Sequence, residues 1–158
     1  MAAGDIVKGQ LLVVESFTVK ASEDIELGEV VYSDGNGILA APNTATGPFM
    51  VALESHDYSE ESSHEIECLL AGCVEVQKKM GTAIKKGQAV MVSSDAGEVT
   101  LWAKGDAPTG GASQYYDSTI EAGVQTALDT NIRRVGVAQA DAASDDTTVR
   151  VWLGVSQG

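Results

Sequence analysis

Residues 84–102, IKKGQAVMVSSDAGEVTLW, contain the pattern that decides the fold. Two apolar pairs, Val90 with Val92 and Val99 with Leu101, alternate with other residues at the two-residue period of a β-strand. The SDAG sequence between the pairs consists of turn-forming residues and ends in a glycine that tolerates a positive φ. The stretch therefore predicts a β-hairpin.

The same pattern occurs earlier, in residues 25–39, IELGEVVYSDGNGIL. Gly28 matches Gly87 at the entry to the first strand, and the DGNG of residues 34–37 is a strong hairpin turn. Each hairpin is followed by a short strand, an acidic loop and another strand, at 49–54, 57–61 and 66–70 and again at 135–140, 141–146 and 149–153. We therefore predict two pseudo-repeated hairpin units, residues 22–76 and 81–155.

Two such units predict an all-β fold, a compact β-sandwich or β-barrel with one short helical insertion. Each unit alone has too few apolar positions to close a core, so the inward faces are expected to pack on each other. The residues expected in this shared core are Val31, Ile66, Cys68 and Leu70 from the first unit and Val90, Val92, Val149, Val151 and Leu153 from the second.

Two segments lie outside the repeat. Residues 1–20 are predicted to be an N-terminal arm or strand ahead of a β domain at 21–158. Within residues 1–20, the stretch from Leu11 to Val19 is apolar on both faces, which is typical either of a bridging arm or of a central core strand. Residues 105–131 are predicted to be the insertion, with a helix over 117–128. Its stripe of Ile120, Val124 and Leu128 is expected to pack on a sheet edge or a neighbouring subunit.

The charge balance excludes some partners. Ten Lys and Arg against 23 Asp and Glu give a formal charge of -13, which argues against nucleic acid and anionic membranes as partners. It suits a soluble surface, a basic partner or a high-salt habitat. We expect neither a signal peptide nor a transmembrane helix. Cys68 and Cys73 are expected to be reduced core thiols.

No residue pattern predicts catalysis, so we expect neither an enzyme nor a bound cofactor or metal. His56 and His64 flank acidic residues, but their spacing matches no familiar metal-ligand pattern. Serines lie in no nucleophile elbow and glycines in no phosphate-binding loop. One basic patch, made of Lys78, Lys79, Lys85 and Lys86, is expected to contact an acidic protein surface.

Two stretches, GDIVKGQLLVVES (residues 4–16) and IKKGQAVMV (residues 84–92), resemble the opening of biotinyl or lipoyl carrier domains. Those domains present a modified lysine at a hairpin tip. Here Lys20 is displaced from such a position, and the SDAG tip of the second hairpin has no lysine. A carrier domain, or a small β binding module, is therefore kept as an alternative function.

Over residues 27–154 the order of motifs resembles the small capsid cement (decoration) proteins of tailed phages and related viruses. The motifs are LGEVVYSDGNGILAAP, GPFMVALE, EIECLLAGCVEV, GTAIKKGQAVMVSSDAGEVT, RRVGVAQADA and TVRVWLG. The helical insertion and the long acidic loop at 55–63 depart from the family pattern.

This resemblance implies a non-enzymatic protein of the virion, assembled in the host cytoplasm. It would bind the major capsid protein on the outside of an icosahedral shell as a homo-oligomer, with a trimer favoured over a dimer. Residues expected to contact the capsid or a neighbouring subunit are Leu11, Leu12, Val13, Val14, Phe17, Lys78, Lys79, Lys85 and Lys86.

Overall fold

The computed structural model describes residues 2–103 and 118–154, and for residues 6–11, 118–120 and 131 it describes the backbone alone. The described chain is all-β with a single helix, as predicted. Its strands are β1 (Ile6–Thr18), β2 (Val30–Ser33), β3 (Ile38–Ala40), β4 (Met50–Ala52), β5 (Glu65–Gln77), β6 (Ala89–Val92), β7 (Val99–Leu101), β8 (Arg134–Ala138) and β9 (Thr148–Leu153), and its helix is α1 (Ser118–Ile132).

The strands form one curled sheet in the order β3-β2-β4-β5-β9-β8-β6-β7, and β1 pairs with β5. The order reads as two matching halves, because β3-β2-β4-β5 on one side corresponds to β7-β6-β8-β9 on the other. Both predicted hairpins are present: β2 pairs with β3 around residues 34–37, and β6 pairs with β7 around residues 94–97.

Equivalent backbone hydrogen bonds recur in the two halves. The Gly28 amide donates to the Ala52 carbonyl at 2.9 Å, and the Gly87 amide donates to the Ala138 carbonyl at 2.8 Å. Both glycines have a positive φ, of 81° and 89°, which a residue with a Cβ adopts only with strain. The two glycines therefore occupy equivalent strand entries, as predicted.

Each half of the sheet also curls back on itself through an isolated parallel bridge. Val19, just after β1, bridges to Ile38 in β3, and Lys78, just after β5, bridges to Val99 in β7. β1 thus has the same place in the first half that the end of β5 has in the second. We call residues 12–71 the first unit and residues 72–154 the second unit. The repeat as folded includes β1, ahead of residue 22, and β5 contributes to both units.

The long strand β5 changes faces between the units. Its pairing with β1 shifts register between Val13 and Val14, near Gly72, whose φ is 144°. One extra residue in a strand reverses which side chains face which side. Leu69, on the outside of the first unit, consequently lies in one cluster with Val74 on the inside of the second.

The core is divided into two clusters for this reason. The larger cluster combines outward residues of the first unit with inward residues of the second, including Val30, Val51, Leu69, Val90, Val92, Val149, Val151 and Leu153. The smaller cluster holds Val19, Ile25, Val31, Ile38, Met50, Ala52, Ile66 and Cys68, with Leu70 packed against it. The prediction that Val31, Ile66, Cys68 and Leu70 share a core with the second-unit residues is therefore wrong.

The helix α1 ends four residues after its predicted end, and most of its described apolar side chains are exposed. Ala127 is buried, whereas Val124 is 40% exposed and Leu128 is 54% exposed. Their predicted packing on a sheet edge is therefore wrong within the described chain, while packing on a neighbouring subunit stays a prediction. Residue 117 and the Ile120 side chain lie outside the described part.

Candidate interaction surfaces

The apolar residues of β1 divide between surface and interior. Leu12 is 39% exposed and Val13 is 38% exposed. Val14 is half-buried against the larger cluster, and Phe17 is half-buried against the smaller one. The Leu11 side chain lies outside the description. Only Leu12 and Val13 of this predicted set are therefore seen to offer an apolar surface to a partner.

Lys78 is a buried residue of the fold. It is 1% exposed, and its Nζ donates to the carbonyl oxygens of Asp146 at 3.1 Å, Lys79 at 3.2 Å and Ser144 at 3.5 Å. It occupies the place that Val19 has in the first unit. A side chain enclosed in this way cannot contact a partner surface while the protein is folded.

Two of the three remaining lysines of the predicted basic patch pair with local carboxylates. Lys79 pairs with Asp95 at 3.2 Å, and Lys85 pairs with Asp141 at 3.1 Å. Asp141 also accepts from the Lys86 amide at 2.9 Å, and these contacts from Lys86 and Lys85 hold the pKa of Asp141 below its usual value. The four lysines therefore do not form one free basic patch.

His56 and His64 form a compact cluster with their neighbours. His56 is 2% exposed, with Nδ1 2.9 Å from a Glu61 carboxylate oxygen and Nε2 3.1 Å from Nδ1 of His64. Tyr58 stacks on His64 at 3.9 Å. Both ring nitrogens of His56 are thus engaged by protein groups. Among the described residues, no group of three or more His, Cys, Asp or Glu is arranged to hold a metal ion.

Both cysteines are buried reduced thiols, as predicted. Burial, together with the nearby Glu54 carboxylate, raises the pKa of the Cys68 thiol to about 12. Because the thiolate is the reactive form, Cys68 is suited to packing and unsuited to nucleophilic chemistry.

A cavity of about 510 Å³ lies beside the first residues of the chain. Its polar lining comes from Glu26, Gln77, Glu98 and two threonines, and Met80 closes one side. Burial and the Asp95 charge raise the pKa of Glu98. The lining brings together no nucleophile, base and orienting group of the kind that acyl or phosphoryl transfer requires.

The outer side of the second unit carries a surface that the sequence patterns did not single out. Trp102, Arg134, Val137 and Trp152 lie there and are half-buried; we call these four residues the terminal face. The Arg134 guanidinium lies 4.3 Å from the centre of the Trp102 ring, a cation–π contact. Val137 and Trp152 pair across β8 and β9.

The equivalent side of the first unit is fully covered. Val51 and Leu69 pair across β4 and β5 as Val137 and Trp152 do across β8 and β9, and each is 0% exposed because the second unit packs on them. The terminal face, which is only half-buried, is thus the partly exposed counterpart of an internal interface.

An exposed apolar stripe of α1 leads up to the terminal face. Val124, Leu128 and Ile132, 40%, 54% and 51% exposed, follow one another at four-residue spacing and so share one side of the helix; we call them the helix stripe. Ile132 is one residue away from Arg133 and two from Arg134 along the chain. Periodicity alone predicts such a stripe, but it does not reveal whether the chain covers it.

Arg133 and Arg134 lack acidic partners in the described part of the chain. None of the ion pairs found among residues 2–103 and 118–154 involves them. Their buried Nε atoms, and Nε1 of Trp102, also have no hydrogen-bond acceptor there. Buried polar groups in proteins are nearly always paired, so the described residues at this end of the protein offer too few acceptors for these donors.

The negative charge is concentrated in the first unit. The first unit has twelve acidic residues and one basic residue, whereas the second unit has ten acidic and eight basic residues. Three exposed carboxylates of the first unit, Glu54, Glu65 and Glu67, lie close together, because Glu54 accepts from the Glu67 amide at 3.0 Å and the other two share one side of β5. We call these three residues the acidic face.

Comparison with known proteins gives no relative for this chain. No protein-family model, curated protein or solved structure matches it. Within the described residues, no helix is both long and apolar enough to span a membrane. The evidence on function therefore comes from the order of sequence motifs over residues 27–154 and from the exposed surfaces of the protein.

Proposed function

We propose that this chain is a capsid decoration protein, which binds the outer surface of an icosahedral tailed-virus capsid as a homo-oligomer and stabilises the shell. The observation that carries the proposal is the presence of two separate apolar surfaces, on β1 and on α1, outside a closed β core. The motif order over residues 27–154 supports the same conclusion through its resemblance to the decoration family.

Such a role needs rigid surfaces rather than a reactive site. A sheet whose core residues are almost fully buried provides a stiff support for contacts with neighbouring subunits. When many copies bind one lattice, weak individual contacts combine into strong overall attachment. An oligomer with closed symmetry matches the local symmetry of a shell.

Within this proposal, Leu12 and Val13 provide the contact with the major capsid protein. They are the exposed members of an apolar strand that pairs with β5 continuously from Val13 to Thr18, and Leu12 directly precedes this paired segment. The lysines make a smaller contribution, because Lys78 is buried and Lys79 and Lys85 are already paired.

A carrier role is less well supported. Carrier domains need a lysine at a hairpin tip, and neither tip, at residues 34–37 or 94–97, has one. Lys20 is instead paired with Asp34 at 2.8 Å. A carrier would gain support only if mass spectrometry found biotin or lipoate on a lysine.

Capsid binding can be tested with shells of the virus that encodes the chain. We expect purified protein to co-sediment with empty shells, and the double variant L12S/V13S to lose at least about tenfold in affinity, because burying one such side chain contributes about 1.5–3 kcal/mol. L27S is the matched control, since Leu27 is also 38% exposed, and it should bind like the parent. Failure of the parent to bind shells would refute the proposal.

A further inference from the structure

We propose that copies of this chain associate head to tail, with the terminal face and helix stripe of one copy docked on the acidic face of the next. The inference rests on the self-association included in the proposed function, but it does not depend on capsid binding. It assigns the interface, which the proposed function leaves open.

The first argument is the internal repeat. Within one chain, the outer side of the first unit is buried by the second unit, and Val30, Val51 and Leu69 are 0% exposed as a result. The corresponding residues of the second unit, Ala89, Val137 and Trp152, are only half-buried. The same surface is therefore an interface in one unit and is left open in the other.

A contact at the β6–β7 hairpin tip shows how the covered side is engaged. Gly97 accepts a hydrogen bond from the Val30 amide at 2.7 Å and donates to the Ala41 carbonyl at 3.1 Å. Its peptide group is thus inserted between the ends of β2 and β3. The outer side of the first unit is in this way held by backbone hydrogen bonds as well as by apolar packing.

The second argument is charge complementarity. The terminal face contains Arg134 and adjoins Arg133, neither of which has a carboxylate partner among the described residues. The first unit has eleven more acidic than basic residues, and the second has only two more. Two copies placed first unit to first unit would repel each other. Second unit to first unit instead brings arginines that have no carboxylate partner among the described residues to the exposed carboxylates of the acidic face.

The third argument is the composition of the surface. Tryptophan and arginine are the residue types that most often dominate protein interfaces, and the terminal face contains two tryptophans and an arginine. The helix stripe adds three exposed apolar side chains, of which Ile132 lies two residues before Arg134 in the chain. A head-to-tail contact uses different surfaces on the two copies, so repetition closes into a ring or continues as a filament.

The helix stripe is tested with L128E, because Leu128 is 54% exposed and its replacement leaves the described core intact. A122E is the matched control, since Ala122 is an exposed residue of the same helix outside the stripe. We expect the parent to sediment as an oligomer in low salt and to dissociate as salt is raised. L128E should lower the association constant roughly tenfold to a hundredfold, and A122E should behave like the parent.

The orientation is tested by exchanging charges. The double variants R133E/R134E and E65K/E67K should each be monomeric. A mixture of the two should form oligomers in which the variants alternate, because the tail of each variant then meets a head of opposite charge on the other. Circular dichroism of each variant verifies folding. A monomeric parent, or an unaffected L128E, would overturn self-association through this surface. An oligomer that survives E65K/E67K, or a mixture that stays monomeric, would overturn the head-to-tail arrangement. None of these results depends on whether capsids are bound.

Discussion

Replacing Lys78 with methionine removes a buried ammonium group while keeping much of the side-chain volume. Two of its hydrogen bonds, to the carbonyls of Asp146 and Lys79, are 3.1 and 3.2 Å long, and the third, at 3.5 Å, contributes little. Hydrogen bonds from a charged donor each contribute about 1.5–3 kcal/mol, and removing a buried charge offsets part of that loss. We therefore expect K78M to lower the free energy of unfolding by about 2–4 kcal/mol.

The assay is urea denaturation followed by tryptophan fluorescence and circular dichroism. K79M is the matched control, because it makes the same substitution at a neighbouring lysine whose ion pair with Asp95 is largely exposed. Such a pair contributes about 0–1 kcal/mol. Val19 occupies the equivalent place in the first unit, so an apolar side chain fits there. A large decrease in the free energy of unfolding of K78M would therefore come from carbonyl groups that have lost their hydrogen-bond donor. A K78M protein as stable as K79M would refute this reasoning.

Three further substitutions or reactions test other parts of the fold. Because burial raises the pKa of Cys68 to about 12, its thiol should resist a disulfide reagent at pH 8 until the protein is unfolded. Burial also raises the pKa of Glu29. A carboxyl group whose pKa is raised by folding costs stability once the pH is high enough to ionise it. E29Q should therefore be more stable than the parent at neutral pH, and this difference should disappear in acid. In the second unit, Gln88 already occupies this place. Gly136 lies against the Trp152 carbonyl and, through an added Cβ, would come within 2.6 Å of a Val151 methyl group, so G136A should cost about 1–3 kcal/mol.

Each of these expectations has a contrary outcome. Rapid labelling of native Cys68 would contradict its enclosure, provided that the sample remains folded during the reaction. A gain from E29Q that persists below the ordinary pKa of glutamate would show that removing the buried charge is not its cause. A G136A protein of unchanged stability would mean that β8 and β9 can separate to admit a methyl group.

Local chemistry in the sequence was enough to place both hairpins and most of the helix, whereas the repeat as folded begins ahead of residue 22 and shares β5 between its units. The DGNG and SDAG turns and the alternation around them depend only on neighbouring residues. The two glycines before the hairpins could be matched because each meets the same backbone requirement. These features are set within a few residues, and the structure contains them.

The division of the core could not be read in the same way. A register shift near Gly72 exchanges the two faces of β5, and the alternation of apolar residues within either half is the same before and after it. Val31 and Val90 are equivalent residues of the repeat, yet they lie in different clusters. Similarly, the spacing of the four lysines gave no sign that Lys78 would be enclosed by carbonyls from a loop far along the chain.

The most direct test of the capsid-decoration proposal is a binding titration on empty shells of the virus that encodes the chain, followed by cryo-electron microscopy of the saturated particles. We expect binding to saturate at a fixed number of copies per shell, with added density at symmetry-related positions on the outer surface and a higher shell melting temperature. Shells that bind no protein, or bind it without saturation and without gaining stability, would contradict the proposal.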